Sequence, residues 1–383
     1  MKTNTILSAF ILTIIAALVV ACDGDDEPTP DDNLIEIPDT YEFTRDGATT
    51  VSFSGQTDRL NMLSEIKTYV KNGDEGEEVS ASKLNDMFAN TNGPFENAEL
   101  NSSTKQLENK TFIADVQYFK DLFTSLETAS QDYVANASEA AQGQSGMIER
   151  GTSGDFVLLN DKGWEYTQFI EKGLMGAVFL HQILNSYLTE DKIGPAVENV
   201  ELSKGKNYTT KEHHFDEAFG YWGVPVDFPD ELAAEDKRFW ASYSYGRESL
   251  TGSVTALKDA FLKGRTAIVN NDETALDEAV IVINEELELL SAATAIHYLN
   301  DAIEDVNAGD LGNLFHHASE AYMFARAIKY QADKKLTDDQ LNTILNTDLG
   351  TNGDFWTISV DGLNQAKSTI ATVYAIGDIA DQL

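Results

Sequence analysis

The sequence predicts an all-α fold, in which helices pack into two bundles and a short strand-like arm precedes them. Three observations lead to this prediction. Apolar residues recur every three and four positions along most of the chain. Only seven prolines occur in 383 residues, which leaves room for long helices. Two similar strings, His213–Phe219 and His316–Tyr322, both read His-His-x-x-Glu-Ala-aromatic and indicate a duplicated helical unit.

The arm is predicted from residues 37–55. Tyr41 and Phe43 alternate with polar residues, and Val51 and Phe53 do the same after an Asp-Gly turn signal at residues 46–47. Helices follow at about 60–70, 112–126, 164–188, 213–221, 231–269, 274–306, 310–333, 337–347 and 358–380. Glycine-rich residues 142–154 are predicted to be a loop. We expect no sheet beyond the arm and two bundles, residues 38–205 and 206–383.

The charge of the chain excludes one class of partner. It carries 64 acidic and 27 basic residues, a formal net charge of −37. A nucleic-acid-binding protein needs a basic surface, so nucleic acid is excluded as a partner. The same balance argues against docking by charge on an anionic membrane. Hydrophobic residues make up 42%, as in ordinary globular proteins, so the acidic excess belongs to a solvated surface.

Residues 1–21 have the pattern of a bacterial lipoprotein signal peptide. Lys2 precedes a mostly apolar run from Ile6 to Ala21, and Cys22 follows directly. Cleavage before Cys22 would leave its thiol to be acylated, so we expect attachment to a membrane through a lipid anchor. A transmembrane helix is the alternative, but the run is at the short limit for spanning and no positive flank follows it. The chain has one cysteine, which excludes disulfides.

Residues 22–37 are predicted to be an extended acidic tether. Six of the ten residues from Asp23 to Asp32 are acidic and two are proline, and both features oppose collapse. The segment resembles the acidic export signal of lipoproteins that Gram-negative bacteria carry to the cell surface. We therefore expect an outer-membrane anchor with the protein on the cell surface. A plain solvated spacer, with the protein on the periplasmic face, is the alternative.

Each histidine string contains a His-x-x-Glu pair: His214 with Glu217, and His317 with Glu320. Residues three apart lie on one face of a helix, so an imidazole and a carboxylate can hold one cation or bond each other. The preceding histidine of each string is four residues from the glutamate and can share it. Two interpretations stay open. The pairs are ligands of iron or another divalent metal, or they are buried hydrogen bonds that stabilise a helix start.

The residues from His214 to Gly223 resemble the signature of an uncharacterised bacterial lipoprotein family, domain of unknown function 4856. Further similarity lies at Ile37–Phe43, at Gly55–Leu60 and at Phe239-Trp240 followed by Arg247, within about residues 37–330. That family is similar in turn to the imelysins, which are secreted or lipid-anchored helical proteins of iron uptake built from two bundles. The imelysin motif is Gly-x-His-x-x-Glu, and Glu212 and Phe315 stand here at its glycine position.

Two classes of function remain. The resemblance implies a non-enzymatic role in iron or metal-complex acquisition, in which the protein captures a complex or passes it to an outer-membrane transporter. The alternative is a metal-dependent peptidase, as proposed for imelysins. A catalytic metal needs about three protein ligands and a water, whereas adjacent histidines on a helix point about 100° apart. Binding is therefore favoured, and no catalytic residue is assigned.

Overall fold

Residues 34–383 are described by a computed structural model, and helices dominate this part of the chain. It contains thirteen α-helices and two small antiparallel sheets of two strands each, which confirms the all-α prediction. Cys22, the signal peptide and most of the acidic tether lie outside the described residues, so lipidation at Cys22 stays a prediction. The tether residues 34–37 lie in no helix or strand and are exposed.

The helices follow one another in this order. They are α1 Ser54–Lys71, α2 Ala81–Ala89, α3 Ala98–Ser102, α4 Val116–Asn136, α5 Tyr166–Leu174, α6 Glu190–Ile193, α7 Thr210–Trp222, α8 Phe239–Thr251, α9 Ser253–Asn270, α10 Glu273–Ala308, α11 Leu311–Ala327, α12 Asp338–Thr343 and α13 Val360–Val373. Two π-helical segments, Met175–Leu180 and Ile183–Tyr187, continue α5. The predicted long helix over 164–188 is therefore present, but its hydrogen bonds are partly of the wider type.

The N-terminal arm is the hairpin that the sequence predicts. Strand β1 (Thr44–Arg45) pairs antiparallel with β2 (Ala48–Thr49). Asp46 and Gly47 both have positive φ, 54° and 76°, as a two-residue turn between twisted strands requires. The arm is held by packing as well, because the Tyr41 ring stacks on Phe219 of α7 with centroids 3.8 Å apart.

A second hairpin contradicts the prediction of a loop over residues 142–154 and of no sheet beyond the arm. Strand β3 (Gly146–Arg150) pairs antiparallel with β4 (Asp155–Leu159). The glycines correctly marked a turn, since Gly151 and Gly154 have positive φ. The strands form because the apolar end of β4, residues 157–159, is buried against the helices and aligns β3 beside it.

The predicted helix over 231–269 is also corrected, because it is two helices. Gly252 separates α8 from α9 in a left-handed conformation (φ 68°), which ends the first helix and starts the second at once. Helix α8 begins only at Phe239, because the chain before it turns at residues 225–238 around two prolines. Helices α11 and α13 end earlier than predicted, at Ala327 and Val373.

Residues 35–383 form one compact unit around the longest helix, α10, which packs against α9, α11 and α13. Helix α5 lies against both α1 and α11, so contacts cross the proposed boundary at residues 205 and 206. The division into bundles 38–205 and 206–383 stays a prediction. None of the helices in the described range combines the length and the apolar character that a membrane span requires.

Candidate functional site

The first histidine string lies on α7, whose start is fixed by a capping box between Thr209 and Glu212. The two histidines bond backbone carbonyls on different sides of the helix. His213 Nδ1 lies 2.9 Å from the carbonyl oxygen of Ser52, and His214 Nδ1 lies 2.7 Å from that of Lys192. Burial lowers the pKa of His214, which favours the neutral imidazole.

Glu217, the acid of the first string, has partners outside its own helix. Its Oε1 accepts hydrogen bonds from Gln56 Nε2 at 3.0 Å and from the Tyr187 hydroxyl at 3.1 Å. The histidine near it is His213, whose Nε2 lies 3.9 Å from Glu217 Oε2. The histidine that approaches Glu217 is therefore His213, four residues before it, and not His214 of the predicted pair.

The second string, on α11, repeats this arrangement with shorter contacts. His316 Nδ1 lies 2.6 Å from Glu165 Oε2, and His316 Nε2 lies 3.3 Å from Glu320 Oε2. His317 instead pairs with Asp305 of α10, with Nδ1 2.7 Å from Oδ2. Burial opposes protonation of His317, but the hydrogen bond and charge of Asp305 raise its pKa above the ordinary value.

The four residues predicted as metal ligands are not brought together by the fold. His214, Glu217, His317 and Glu320 each bond a different protein group. Over residues 34–383, no three His, Cys, Asp or Glu side chains converge in a way that could hold a metal ion. The donor set therefore does not fit a shared metal centre, and no chemical step is assigned to one.

A buried ion-pair network includes Asp216 of the first string and Glu212, which directly precedes the string. Arg265 of α9 is fully buried and contacts two acids of α7: its Nε lies 2.9 Å from Asp216 Oδ1 and its Nη1 lies 3.1 Å from Glu212 Oε1. The arm joins the same network. The Tyr41 hydroxyl donates to Asp216 Oδ1 at 3.0 Å, and Arg45 binds both oxygens of Glu212.

This network stabilises the arm on the helices. Burial raises the pKa of Asp216 to about 6, although the Arg265 guanidinium opposes that rise. Burial alone would also raise the pKa of Glu212, but Arg265 and Arg45 bring it below the ordinary value. The sequence reasoning missed Arg265, since its position in the chain carries no signal of its partners.

A polar cleft lies beside the second string. It has a volume of about 690 Å³ and is bounded by the β3–β4 hairpin, the end of α1, the start of α5, and α11. Its lining residues are Lys71, Asp74, Glu75, Tyr133, Met147, Arg150, Gly154, Asp155, Phe156, Val157, Glu165, Gln168 and His316. The histidine string thus contributes to a cleft, but through His316 and not through the predicted His317.

Glu165 is held in the wall of this cleft by three residues of one helical face. Ser319 Oγ accepts a hydrogen bond from the Glu165 backbone N–H at 3.0 Å. His316 bonds the carboxylate of Glu165 and is supported from behind by Glu320. Burial alone would raise the pKa of Glu165, but the charge and hydrogen bond of His316 bring it below the ordinary value.

Asp74 is a half-buried acid of the cleft, and its environment differs from that of Glu165. Its oxygens accept from neutral donors, the Leu158 N–H at 2.8 Å and the Thr167 hydroxyl at 2.6 Å. Burial and repulsion by Glu165 raise its pKa to about 7, with Lys71 opposing only weakly. The two carboxyl groups thus differ in charge state near neutral pH.

Gln168 leaves one polar atom of the cleft wall without a partner. Its Nε2 donates to Glu165 Oε1 at 3.1 Å, whereas its buried Oε1 has no hydrogen-bond partner among the described residues. The residue is only 7% exposed. A buried acceptor without a donor costs free energy, about 1–3 kcal/mol, so a ligand or water that donates to it would be stabilised there.

A chain of charged groups leads from the cleft into the helical core. Beyond His316, Glu320 Oε1 lies 3.5 Å from Lys172 Nζ, which lies 2.8 Å from Glu171 Oε2. Lys67, whose side chain is partly exposed, then binds Glu171 at 2.7 Å. Opposite charges alternate along the chain, so each buried charge is compensated by its neighbours.

The comparison with known families decides what the chain is similar to. The model of the family described as Domain of unknown function (DUF4856) matches residues 38–377. The chain belongs to the DUF4856 family. The resemblance inferred from the first string and the arm is thereby confirmed, and the matched range spans nearly all described helices. No curated protein and no solved structure matches the chain.

Membership in DUF4856 assigns no chemical role to the histidine strings. The sequence reasoning found His316 as part of the string but missed Asp74, Glu165 and Gln168. One signal was available, because Glu165 lies at the start of the predicted helix over 164–188, where acidic residues are favourable. No sequence signal marked Asp74, since it lies in a turn between helices.

Proposed function

We propose that this protein is a lipid-anchored, non-enzymatic binding protein of the outer membrane, exposed on the cell surface, with a role in the acquisition of iron or another metal as a complex. The observation that carries the binding role is the 690 Å³ polar cleft, in whose wall Gln168 presents a buried acceptor without a partner. A cleft of this size accommodates a small molecule.

The contacts of His316 favour binding over hydrolysis. Both of its ring nitrogens face a carboxylate, Glu165 on one side and Glu320 on the other. With a carboxylate oxygen within 3.3 Å of each nitrogen, the imidazole is less free to coordinate a metal or to accept a proton from a water. The residue thus orders the wall of the cleft, which suits the capture of an intact complex better than chemistry on a bound metal.

The membrane attachment rests on the lipoprotein pattern that ends at Cys22 and on the acidic tether behind it. An outer-membrane transporter is the partner to which a captured complex would pass. The metal assignment of His214, Glu217, His317 and Glu320 stays part of the alternative, in which the protein is an imelysin-like, metal-dependent peptidase.

The test combines expression with binding. Growth under iron limitation is expected to raise the amount of this protein, and the purified mature chain is expected to bind ferrioxamine B, a cationic ferric complex, saturably. His316→Gln should weaken that binding. His297→Gln is the matched control, because His297 is a helical histidine that pairs with an acid four residues on but does not line the cleft.

Two results would contradict the proposal. Unchanged expression together with no bound ferric complex would remove the acquisition role. Proteolysis of casein that stops with a chelator and returns with added metal would instead favour the peptidase alternative.

A further inference from the structure

The cleft contains acceptors and negative charge that its own cations do not fully compensate. Four carboxyl groups line it, at Asp74, Glu75, Asp155 and Glu165, against two permanent cations. The cations are Lys71 and Arg150, and Arg150 also donates from Nε to Asn313 Oδ1 at 3.2 Å. Lys71 and Arg150 equal Glu75 and Asp155 in number, and His316 pairs with Glu165, so Asp74 is the carboxyl group of the cleft that has no ion-pair partner among the described residues.

One acceptor of the cleft wall has no donor, and a second one has only neutral donors. Gln168 Oε1 is buried and unpartnered among the described residues. Asp74 is bonded only by the neutral donors Leu158 and Thr167, and its nearest charged neighbour in the wall, Glu165, repels it. A positive group with N–H donors would satisfy Gln168 and relieve the repulsion between the two acids at the same time.

The remaining walls suit a carbon chain attached to such a group. Met147 and Val157 are apolar, and the rings of Tyr133 and Phe156 also line the cleft. The Phe156 side chain is 46% exposed, so its face is available to a ligand. Aromatic faces attract ammonium groups, by about 0.5–2 kcal/mol depending on how far the pair is desolvated.

We propose that the cleft binds a protonated organic amine, seated between Asp74 and Gln168 with its carbon chain along the aromatic wall. The inference rests on the proposed binding function and names the chemical group recognised at that site. In a metal complex, the amine would belong to the chelator. A free alkylamine and the amino group of an amino acid share this chemistry, and a carboxylate on the latter would face Lys71 and Arg150.

The experiment titrates the mature chain with four small probes of matched size, followed by ligand-observed NMR. The probes are n-butylamine, norvaline, 1-butanol and butyrate. Butylamine is expected to bind saturably, and 1-butanol and butyrate at least tenfold more weakly. Tighter binding of norvaline than of butylamine would identify an amino acid as the source of the amine, whereas the reverse would identify a simple alkylamine.

Variants locate the amine in the cleft. Asp74→Asn keeps the shape of the side chain and removes its charge, and Gln168→Met removes the acceptor at similar volume. Each is expected to weaken butylamine binding at least fivefold. Asp378→Asn is the matched control, because Asp378 is an exposed acid that does not line the cleft. It should stay within twofold of the unchanged protein, which separates a local site from general attraction to a chain of charge −37.

The outcomes are decisive in both directions. Equal binding of butylamine and 1-butanol, preference for butyrate, or equal losses in Asp74→Asn and Asp378→Asn would overturn the inference. If Asp74→Asn does not fold, Gln168→Met and Phe156→Ala give the same test, since Phe156 is partly exposed. Absence of butylamine binding with ferrioxamine B binding intact would refute the amine site alone. Amine binding without any ferric complex binding would refute only the acquisition role.

Discussion

Neighbouring histidines in one string have different partners because each residue turns about 100° around a helix. In the second string, His316 lies at the polar cleft beside Glu165, while His317 reaches Asp305 on α10. The glutamate four residues after the first histidine completes the contact in both strings. At the scale of single residues, the paired charges of this protein are therefore set by helical spacing plus one partner from elsewhere in the chain.

Asp74 is expected to make the stability of the protein depend on pH. Its pKa is about 7 in the folded state and about 4 in an unfolded chain, so the folded state holds its proton over a range where the unfolded state has lost it. The stabilisation is complete below pH 4 and is lost as the pH rises through 7. Each pKa unit corresponds to about 1.4 kcal/mol.

The measurement is urea denaturation of the unchanged protein and of Asp74→Asn at pH 5 and pH 8. Because asparagine does not titrate, the variant should gain stability relative to the unchanged protein between these values, by a few kcal/mol at most. Parallel pH profiles for the two proteins would show that Asp74 is not protonated in the folded state.

Arg265 is expected to be the charged residue whose loss costs most. Arg265→Met leaves Glu212 and Asp216 buried without their shared cation. Removing one partner of a buried pair costs about 3–5 kcal/mol. Arg45→Met is the control, because Arg45 binds the same Glu212 but its side chain is 33% exposed, and such pairs contribute about 0–1 kcal/mol.

Chemical denaturation of both variants checks this ranking. Similar midpoints for Arg265→Met and Arg45→Met would mean that Arg265 is not needed to compensate the two acids. If Arg265→Met has lost its helical signal already at low temperature while Arg45→Met keeps it, the expected order is supported.

At the scale of elements, glycines without a Cβ decide where helices touch. A Cβ at Gly264 of α9 would lie 2.5 Å from Phe215 Cζ of α7, and one at Gly220 of α7 would lie 2.6 Å from Phe53 Cβ of the arm. Phe215 is fully buried, so its ring has little space to move. These two positions set the close approach of the arm, α7 and α9 around the Arg265 network.

Gly264→Ala is therefore expected to destabilise the protein, although alanine has the higher helix propensity. Overpacking of this kind costs about 1–3 kcal/mol. Gly246→Ala in α8 is the matched control, because no atom lies within 4 Å of a Cβ there. With no clash, that change should raise stability by about 0.5–1 kcal/mol. Thermal melts that shift in the same direction for both variants would contradict the packing argument.

At the scale of the whole molecule, the compact unit from residue 35 to residue 383 follows a chain start with the features of an anchor. Cys22→Ala is expected to release the protein from the membrane fraction, since the thiol is the acylation site in the lipoprotein pattern. Cell fractionation followed by immunoblotting measures this. Ser8→Ala, which changes the apolar run without touching the cysteine, should leave the protein in the membrane fraction. Retention of Cys22→Ala there would contradict the lipid anchor.

Much of the fold could be predicted from local patterns, because their physical causes are local. Asp46-Gly47 permits the positive φ values of a tight turn, and the spacing of Leu60, Leu63 and Ile66 places them on one helical face. The second hairpin could not be predicted in this way. Its strands exist because residues 157–159 are buried against helices that are distant in sequence.

The sequence alone established the helical class, the arm and its turn, the acidic surface, the lipoprotein pattern at Cys22 and the resemblance to the DUF4856 family. Only the tertiary structure decided that His316 and not His317 lines a cleft, and that Asp74, Glu165 and Gln168 meet it there. The physical reason is that periodicity states which side chains share a face, whereas burial and charge compensation depend on what packs against that face. Asp74 thus bonds Leu158, 84 positions on in the chain, and His316 bonds Glu165, 151 positions away.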